Sequence, residues 1–360
     1  MFKMNEKHFM FIIWGTTIVS LKTYPTVFIR NGLRDSWVAI IIASIVFISY
    51  TFYMIKVLQK TKNYSFFYLY KTAFGKYMGS LLFFMLLFAF FMILIECASI
   101  EANSMHENML LESPPWYFLL FFVIPAIYTI NKDLDTLLIV TIIGISFIML
   151  AGINLGIQTA AYKTPSWIFP IFEKGVTSGF LLSIVQIIGL YSHVLIPIYY
   201  FQYIENKDSI FKPLAFALFI VVQMEIVSIT GVIMTFSMNR ITEMFYPKLL
   251  QTQLPSYFDF IEFGELLVMI QMVGGWYVKY TLTFYALLKI IKQDLNKIHP
   301  APLYILSAFV LVISYFLSRN IFVLFNFLTF FSYFCFFHLF LIPLLAFVLF
   351  SFRQKSRHSE

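Results

Sequence analysis

Long apolar runs separated by short polar segments follow one another along most of the chain. Runs bounded by charges, prolines or polar clusters predict ten helices. They lie at about 9–29, 37–57, 78–101, 116–131, 134–153, 178–203, 212–236, 261–290, 301–317 and 321–352. A membrane-spanning helix needs about 20 residues. The fourth and ninth helices are short for this task, and the last, at 32 residues, requires strong tilt, a kink near Pro343 or a hairpin.

The composition agrees with the helix pattern. Apolar residues make up 60% of the 360 positions and charged residues only 12%, against about 25% charged in soluble globular domains. These figures exclude a soluble domain, a disordered chain, collagen and a disulfide-rich scaffold. They predict an all-α polytopic membrane protein. Neither a repeat of 20–50 residues nor a Gly/Ser-rich or Pro-rich linker divides the chain, so we expect one membrane domain over residues 1–360.

The amino-terminal segment resembles a secretory signal, because Lys3 and Lys7 precede an apolar run. That run continues past Ser20 into Tyr24 and Pro25 without a small-residue cleavage site. We therefore expect it to be the first spanning helix of the mature protein.

Lys and Arg are unevenly distributed between the two sides of the predicted bundle. With the amino terminus in the cytoplasm, 16 of the 25 basic residues fall in inner segments and 7 in outer ones, while Lys22 and Lys279 lie within helices. Cytoplasmic loops are enriched in Lys and Arg, so we expect both termini in the cytoplasm. The net charge of +7 reflects this topology and not nucleic-acid binding, because the basic residues are dispersed over short loops.

The first and sixth predicted helices each contain a glycine followed by a proline. These are Gly15 and Pro25 in the first, and Gly189 and Pro197 in the sixth. Matching interruptions in two halves are typical of inverted-repeat transporters, whose broken helices expose backbone groups to a ligand near the midplane. Gly and Pro are also common in ordinary membrane helices, so packing explains the pattern equally well.

Two long segments on the predicted outer side, 154–177 and 237–260, are rich in Trp, Phe and Pro. This composition predicts that both segments fold over the outer opening of the helix bundle and cover an access path there. For Trp167 and Tyr246 taken singly, anchoring at the membrane interface is an equal alternative.

Four ionisable residues lie inside predicted helices: Lys22, Glu96, Glu225 and Lys279. Charges in the hydrocarbon region are functional hypotheses by default. Lys22 and Glu96 fall at levels that would let them pair near an outer gate or snorkel outward. Contact between Glu225, near mid-depth, and Lys279, towards the inner half, depends on how their helices meet. Mutual neutralisation that holds helices together is a somewhat better explanation than a direct ligand or proton role.

Small polar residues accompany these charges. The candidate ligand-binding residues are Thr16, Thr17, Ser20, Gly189, Tyr191, Ser192 and Thr281. If the sixth helix unwinds after Gly189, freed backbone groups beside Tyr191 and Ser192 would hold the amino and carboxyl groups of a small zwitterion. For each Ser or Thr alone, a hydrogen bond to its own or a neighbouring helix is the commoner role.

Motifs for catalysis or metal binding are absent from the sequence. It has no G-x-S-x-G elbow, H-E-x-x-H helix or P-loop. Cys97 and Cys335 lie far apart in apolar runs, which indicates neither a disulfide nor a metal-binding pair, and His193 and His338 lack nearby ligand partners. We therefore expect no enzyme, no cofactor and no metal.

Three local stretches carry a family resemblance. They are Tyr24-Pro25 with Gly32 and Asp35-Ser36-Trp37, then Phe169 to Gly175, and finally Asp259 to Glu262 with Gly275 to Lys279. Together with the length and the order of helices, they resemble the B subunit of endospore germinant receptors, the GerAB-type spore germination permeases of the amino acid/polyamine/organocation superfamily. The resemblance covers nearly the whole chain.

This resemblance implies a LeuT-like core of ten helices in two inverted five-helix repeats, with helices one and six broken around a central pocket. It also implies a nutrient-sensing subunit in the spore inner membrane, partnered by an A subunit and a C lipoprotein, that binds an amino acid or similar small nutrient. Superfamily members often carry a glutamate in the broken part of helix six. This sequence reads Gly189-Leu-Tyr-Ser192 there, so Tyr191 and Ser192 are expected to determine shape and hydrogen bonding, not to carry charge.

A second function remains open. A proton-coupled amino acid permease that uses Glu225 or Glu96 as proton carrier would need the same pocket, because a ligand that shifts a conformational equilibrium and one that is transported bind alike.

Overall fold

The computed structural model describes residues 4–255, 263–292 and 300–358. Within these ranges the chain is nearly all helical, and the only strand-like pairing is one bridge between Met4 and Ile204. The α-helices are α1 (Glu6–Thr17), α2 (Val19–Thr23), α3 (Thr26–Gly32), α4 (Ser36–Thr61), α5 (Phe66–Phe74), α6 (Lys76–Asn108), α7 (Pro115–Ile130), α8 (Leu134–Gln158), α9 (Ser178–Tyr191), α10 (Leu195–Tyr200), α11 (Phe211–Thr235), α12 (Met238–Glu243), α13 (Pro247–Thr252), α14 (Phe263–Lys292), α15 (Pro300–Ser318), α16 (Ile321–Cys335) and α17 (Ile342–His358).

Seven helical stretches in the described part of the chain are long and apolar enough to cross a membrane, and Pro115–Ile130 is a shorter apolar helix. The protein is therefore an all-α integral membrane protein, as its composition predicts. The predicted ranges are mostly helical over their described residues, and positions 261–262 of the eighth range lie outside them. Several helices are longer than expected. The third continues to Asn108 and the fifth to Gln158.

Helix α5 is an addition to the sequence prediction. Its amino end is capped by Ser65, whose hydroxyl accepts a hydrogen bond from the Tyr68 amide, and its carboxyl end meets Gly75 at φ 85°. These are ordinary helix-boundary residues. The helix packs on α6 and α17.

The first predicted helix is broken twice. A bend at Ile18 separates α1 from α2, and Tyr24 (φ −125°, ψ 55°) separates α2 from α3. Pro25 explains the second break, because a residue before proline avoids the helical conformation. Gly15, the glycine expected at the interruption, is helical and lies three residues before the first break.

The sixth predicted helix changes geometry at a tight 3₁₀ turn, Ser192–Val194, between α9 and α10. Gly189, where unwinding was expected, is helical. Its lack of a side chain serves packing, because a Cβ atom there would lie 2.0 Å from the carbonyl oxygen of Ser332 in α16.

The last predicted helix continues through Pro343 as one span, and its geometry changes just before that residue. A π-helical turn, Phe336–Leu341, joins α16 to α17, and the Ile342 amide donates to the carbonyl of Phe337. Proline has no amide hydrogen to donate to the preceding turn, and a π turn beside it is a common way to absorb that defect.

The two predicted outer segments form the long-loop end of the bundle. Their non-spanning parts, residues 159–177 and 236–255, fold against the helices, and positions 256–260 lie outside the described residues. Helix α12 packs on α3, and α13 packs on α11 and α14. Tyr246 is buried and donates a 2.7 Å hydrogen bond to Asn103, so it is not an interface anchor. Trp167 is 40% exposed, as an anchor would be.

Candidate ligand site at the helix breaks

A buried ion pair lies where the broken helices meet. Glu96 of α6 and Lys279 of α14 approach to 2.7 Å, and neither side chain has any exposed surface. The α2 segment and the 3₁₀ turn Ser192–Val194 close around this pair, because Ser20 and His193 both reach Lys279. The two irregular segments of the fold thus converge on one charged centre.

Hydroxyl groups complete the coordination of the carboxylate. Ser20 donates to Glu96 Oε1 at 2.7 Å and Tyr24 donates to the same oxygen at 2.5 Å, while Lys279 occupies Oε2. Three donors therefore hold a carboxylate that would otherwise be costly to bury.

The ammonium group of Lys279 is also fully coordinated. It donates to Glu96, to Ser20 at 2.5 Å and to Nδ1 of His193 at 3.0 Å. These bonds use all three ammonium protons. Because Nδ1 of His193 then acts as an acceptor, its ring proton belongs on Nε2, which lies 3.5 Å from Sγ of Cys335.

Trp276 forms one wall of the site. Its ring stacks on Tyr24 at 6.2 Å with an interplanar angle of 8°, and the Lys279 ammonium lies 5.1 Å from its centroid. The aromatic face stabilises the cation. The site therefore combines one positive group, one negative group, hydroxyl donors and an aromatic wall.

The four intramembrane charges pair differently from the sequence prediction. Glu96 is bonded to Lys279 and not to Lys22, and the charge that acts on Lys22 is that of Glu225. Both carboxylate oxygens of Glu225 lack a hydrogen-bond partner among the described residues. Depth along a helix was a poor guide to partners, because rotation about the helix axis also decides which side chains meet.

The predicted threonines bond to their own helices. Thr16 donates to the carbonyl of Ile12, Thr17 to that of Ile13, and Thr281 to that of Tyr277, at 2.6–2.9 Å. This is the commoner role expected for such residues. Of the seven candidate ligand-binding residues, Ser20 is the one bonded to the ion pair.

The predicted residues of helix six lie beside the site and face other partners. The Tyr191 hydroxyl is 3.0 Å from that of Ser44, and its ring stacks on Phe47 at 4.4 Å. Ser192 donates to the carbonyl of Gly189 at 2.5 Å. The neighbour of this pair, His193, provides the direct contact to Lys279.

Tyr24, Trp276 and Cys335 were not among the sequence-predicted site residues. A signal existed for Tyr24 and Trp276, since both belong to the stretches that carried the family resemblance. For Cys335 no such signal is visible, because it reaches His193 from 142 positions away. No group of three or more metal-ligating side chains occurs in the part of the chain that the structure describes.

The family described as "Spore germination protein" (Spore_permease) matches residues 3–323. The chain belongs to this family. The match spans the helix breaks, Glu96 and Lys279 together. Among curated protein sequences, none matches the chain.

Two solved structures of LeuT-fold transporters have a similar fold. The protein MhsT in complex with L-phenylalanine superposes with a TM-score of 0.65 at 15% identity, over 95% of this chain and 87% of that one. A substrate-bound, outward-open Na⁺-coupled sialic acid symporter superposes with a TM-score of 0.57 at 9% identity, over 88% of this chain and 72% of that one. At these identities the likeness establishes the fold alone. The family and these structures are permease-like and transporter-like.

Proposed function

We propose that this chain is the nutrient-binding B subunit of a spore germinant receptor and that it takes a zwitterionic amino acid or similar small nutrient at the helix breaks. The Glu96–Lys279 pair supports this assignment most directly. An α-amino acid carries both an ammonium and a carboxylate group. Its ammonium would bond to Glu96 and its carboxylate to Lys279, so the ligand can replace the internal partner of each residue without changing the net buried charge.

The position of the pair supports the receptor role. Ser20 and His193 bond to Lys279 from two separate broken helices, so a ligand that separates Lys279 from Glu96 also alters the contacts between those helices. Binding then shifts the equilibrium between two arrangements of the bundle. An A subunit and a C lipoprotein in the spore inner membrane would read that shift, with both termini of this chain in the cytoplasm and the long-loop end facing away from it.

A germination assay tests the proposal. Spores with and without this gene are exposed to single amino acids, and release of dipicolinic acid is followed over a concentration series. We expect Ser20→Ala to shift the half-maximal nutrient concentration at least several-fold, since Ser20 bonds to both charged groups. Thr283→Val is the control, because that hydroxyl bonds to the Lys279 carbonyl within its own helix. An unchanged response in the deletion strain to every nutrient would overturn the proposal.

The permease alternative has one favourable observation. Glu225 is buried with both oxygens unpartnered among the described residues, as a proton carrier would be between steps. Uptake by purified protein in liposomes separates the two functions. Concentrative, uncoupler-sensitive accumulation of a labelled amino acid, abolished in Glu225→Gln, would favour the permease.

A further inference from the structure

A cavity of about 380 Å³ lies between α1, α2, α8, α11, α13 and α14. Neither Glu96 nor Lys279 belongs to its lining among the described residues. Its volume is within the range of small-molecule sites in proteins, about 300–1,000 Å³.

The two ends of this cavity differ in chemistry. At the long-loop end it is lined by Lys163, Lys248 and Ser228, and by Lys22 of α2. Towards the other end the lining is apolar and includes Trp14, Ile145, Met149 and Ile220. On α11 alone, Ile220 and Ser228 are separated by about 12 Å along the helix axis. The cavity is therefore an elongated apolar space with a cationic end.

Local contacts fix the positions of Lys163 and Lys248 at this end. The amide of Thr164 donates to the carbonyl of Met234 at 2.8 Å and fixes the backbone next to Lys163. The Lys163 side chain passes over Gly231, where a Cβ atom would lie 3.4 Å from its Cε. Lys248 donates to Gln251 at 2.7 Å, and Gln251 is in turn bonded to the carbonyl of Gly231.

The charge at this end is not balanced within the described lining. Lys22 is opposed by Glu225, a neighbour that does not itself line the cavity. No carboxylate occurs among the described lining residues, so Lys163 and Lys248 add positive charge that the cavity wall does not neutralise. Burial, and secondarily the nearby charges of Lys22 and Lys163, lowers the pKa of Lys248 to about 7.

Two residues of the cavity lining also lie on the lipid-facing surface of the bundle. Ile153 of α8 and Val227 of α11 both belong to its lining, and they are 63% and 50% exposed. In a membrane-spanning bundle such apolar surface faces lipid chains. The cavity wall and the lipid-facing surface thus share these two residues of α8 and α11.

We propose that this cavity binds an amphipathic anion, with a carboxylate or phosphate group against Lys163 and Lys248 and an acyl chain along the apolar wall. A basic pocket between membrane helices suits an anionic lipid headgroup, and the length of the apolar wall suits part of an acyl chain. Because Ile18, Val19 and Lys22 line the same cavity, the occupant contacts the first break of the broken helix.

Photo-crosslinking tests this site. The whole protein is reconstituted in phosphatidylcholine nanodiscs that contain one diazirine-bearing probe: palmitate, phosphatidylglycerol or phosphatidylcholine. Labelled peptides are then mapped by mass spectrometry. We expect the anionic probes to label peptides of α8 and α11, and Lys163→Gln/Lys248→Gln to lower that labelling at least tenfold. Lys163→Arg/Lys248→Arg, which keeps both charges, should retain it. Lys174→Gln is the matched control, since Lys174 is an exposed lysine of the same long loop.

The outcomes separate the sources of the anion. Labelling by phosphatidylglycerol alone identifies a membrane phospholipid, labelling by palmitate alone identifies a free fatty acid, and labelling by both identifies the shared chemistry. Equal labelling by phosphatidylcholine, or no label on α8 and α11, overturns the proposal. If the double variant is not recovered folded by gel filtration, Lys163→Gln alone is used, and undiminished labelling in that variant counts against the site.

Discussion

Glu96 and Lys279 are 183 positions apart in the sequence, and their side chains meet at 2.7 Å in the centre of the bundle. Removal of one partner leaves a buried charge without its counterion, whereas removal of both leaves none. We therefore expect Glu96→Gln and Lys279→Gln each to lower stability by about 3–5 kcal/mol, and the double variant to be less destabilised than the sum.

Thermal unfolding of the purified protein in detergent measures this coupling. The double-variant cycle gives the interaction free energy of the pair. Strictly additive losses in the two single variants would show that the observed contact contributes no stability of its own.

Tyr24 and Tyr191 form a matched pair of tyrosines for a test of the site. The hydroxyl of Tyr24 donates to Glu96, whereas that of Tyr191 is bonded to Ser44 in α4. Tyr24→Phe keeps the ring against Trp276 and removes one donor to the carboxylate, so we expect a several-fold shift in the nutrient concentration for half-maximal germination. Tyr191→Phe should shift it less. A larger effect at Tyr191 would place the ligand on the α4 side of the sixth helix.

Gly189 is expected to tolerate no side chain. A methyl group there would lie 2.0 Å from the Ser332 carbonyl oxygen, and a backbone atom cannot move aside as a flexible side chain does. Gly189→Ala should therefore lower the apparent Tm in detergent by several degrees. Gly156→Ala is the control, because an added Cβ has no atom within 4 Å there. Equal Tm values for the two variants would contradict the close contact between α9 and α16.

Anion binding in the cavity lined by Lys163 and Lys248 should depend on pH near neutrality. Burial and the nearby charges of Lys22 and Lys163 lower the pKa of Lys248 to about 7, while Glu225 opposes this effect. Lys248 is therefore charged below pH 7 and increasingly neutral above it. Labelling by the anionic probes should be stronger at about pH 6 than at about pH 8, and Lys248→Arg should remove that difference because arginine keeps its charge. A pH profile that is the same in both proteins would contradict this role of Lys248.

The sequence predicted the position of helices much better than their contacts. Hydropathy placed the start of α4 at residue 37 where the structure has Ser36, because burial of apolar residues in lipid is a local property. Hydropathy did not predict helix α5, because its nine residues are too few to span a bilayer. Ser65 and Gly75 nevertheless mark both of its ends.

The site itself was predicted only in part. Glu96, Lys279 and Ser20 were predicted as candidate residues because polar and ionisable side chains inside a membrane are costly and usually functional. Their partners were not predicted, since each residue along a helix turns the side chain by about 100° and the level of a charge does not fix the direction it faces. His193 shows the limit well: its role depends on a contact with a residue 86 positions away.

The π-helical turn before Pro343 acts as a one-residue insertion in the tenth predicted helix. Its extra residue rotates everything that follows by about 100° relative to a continuous α-helix. That rotation sets the face on which Phe347 and Phe350 meet Phe66 and Tyr68 of α5. Deletion of one residue between 336 and 341 would restore a regular helix and turn these two rings away from α5, so the irregular turn determines how the carboxyl-terminal helix is joined to the rest of the bundle.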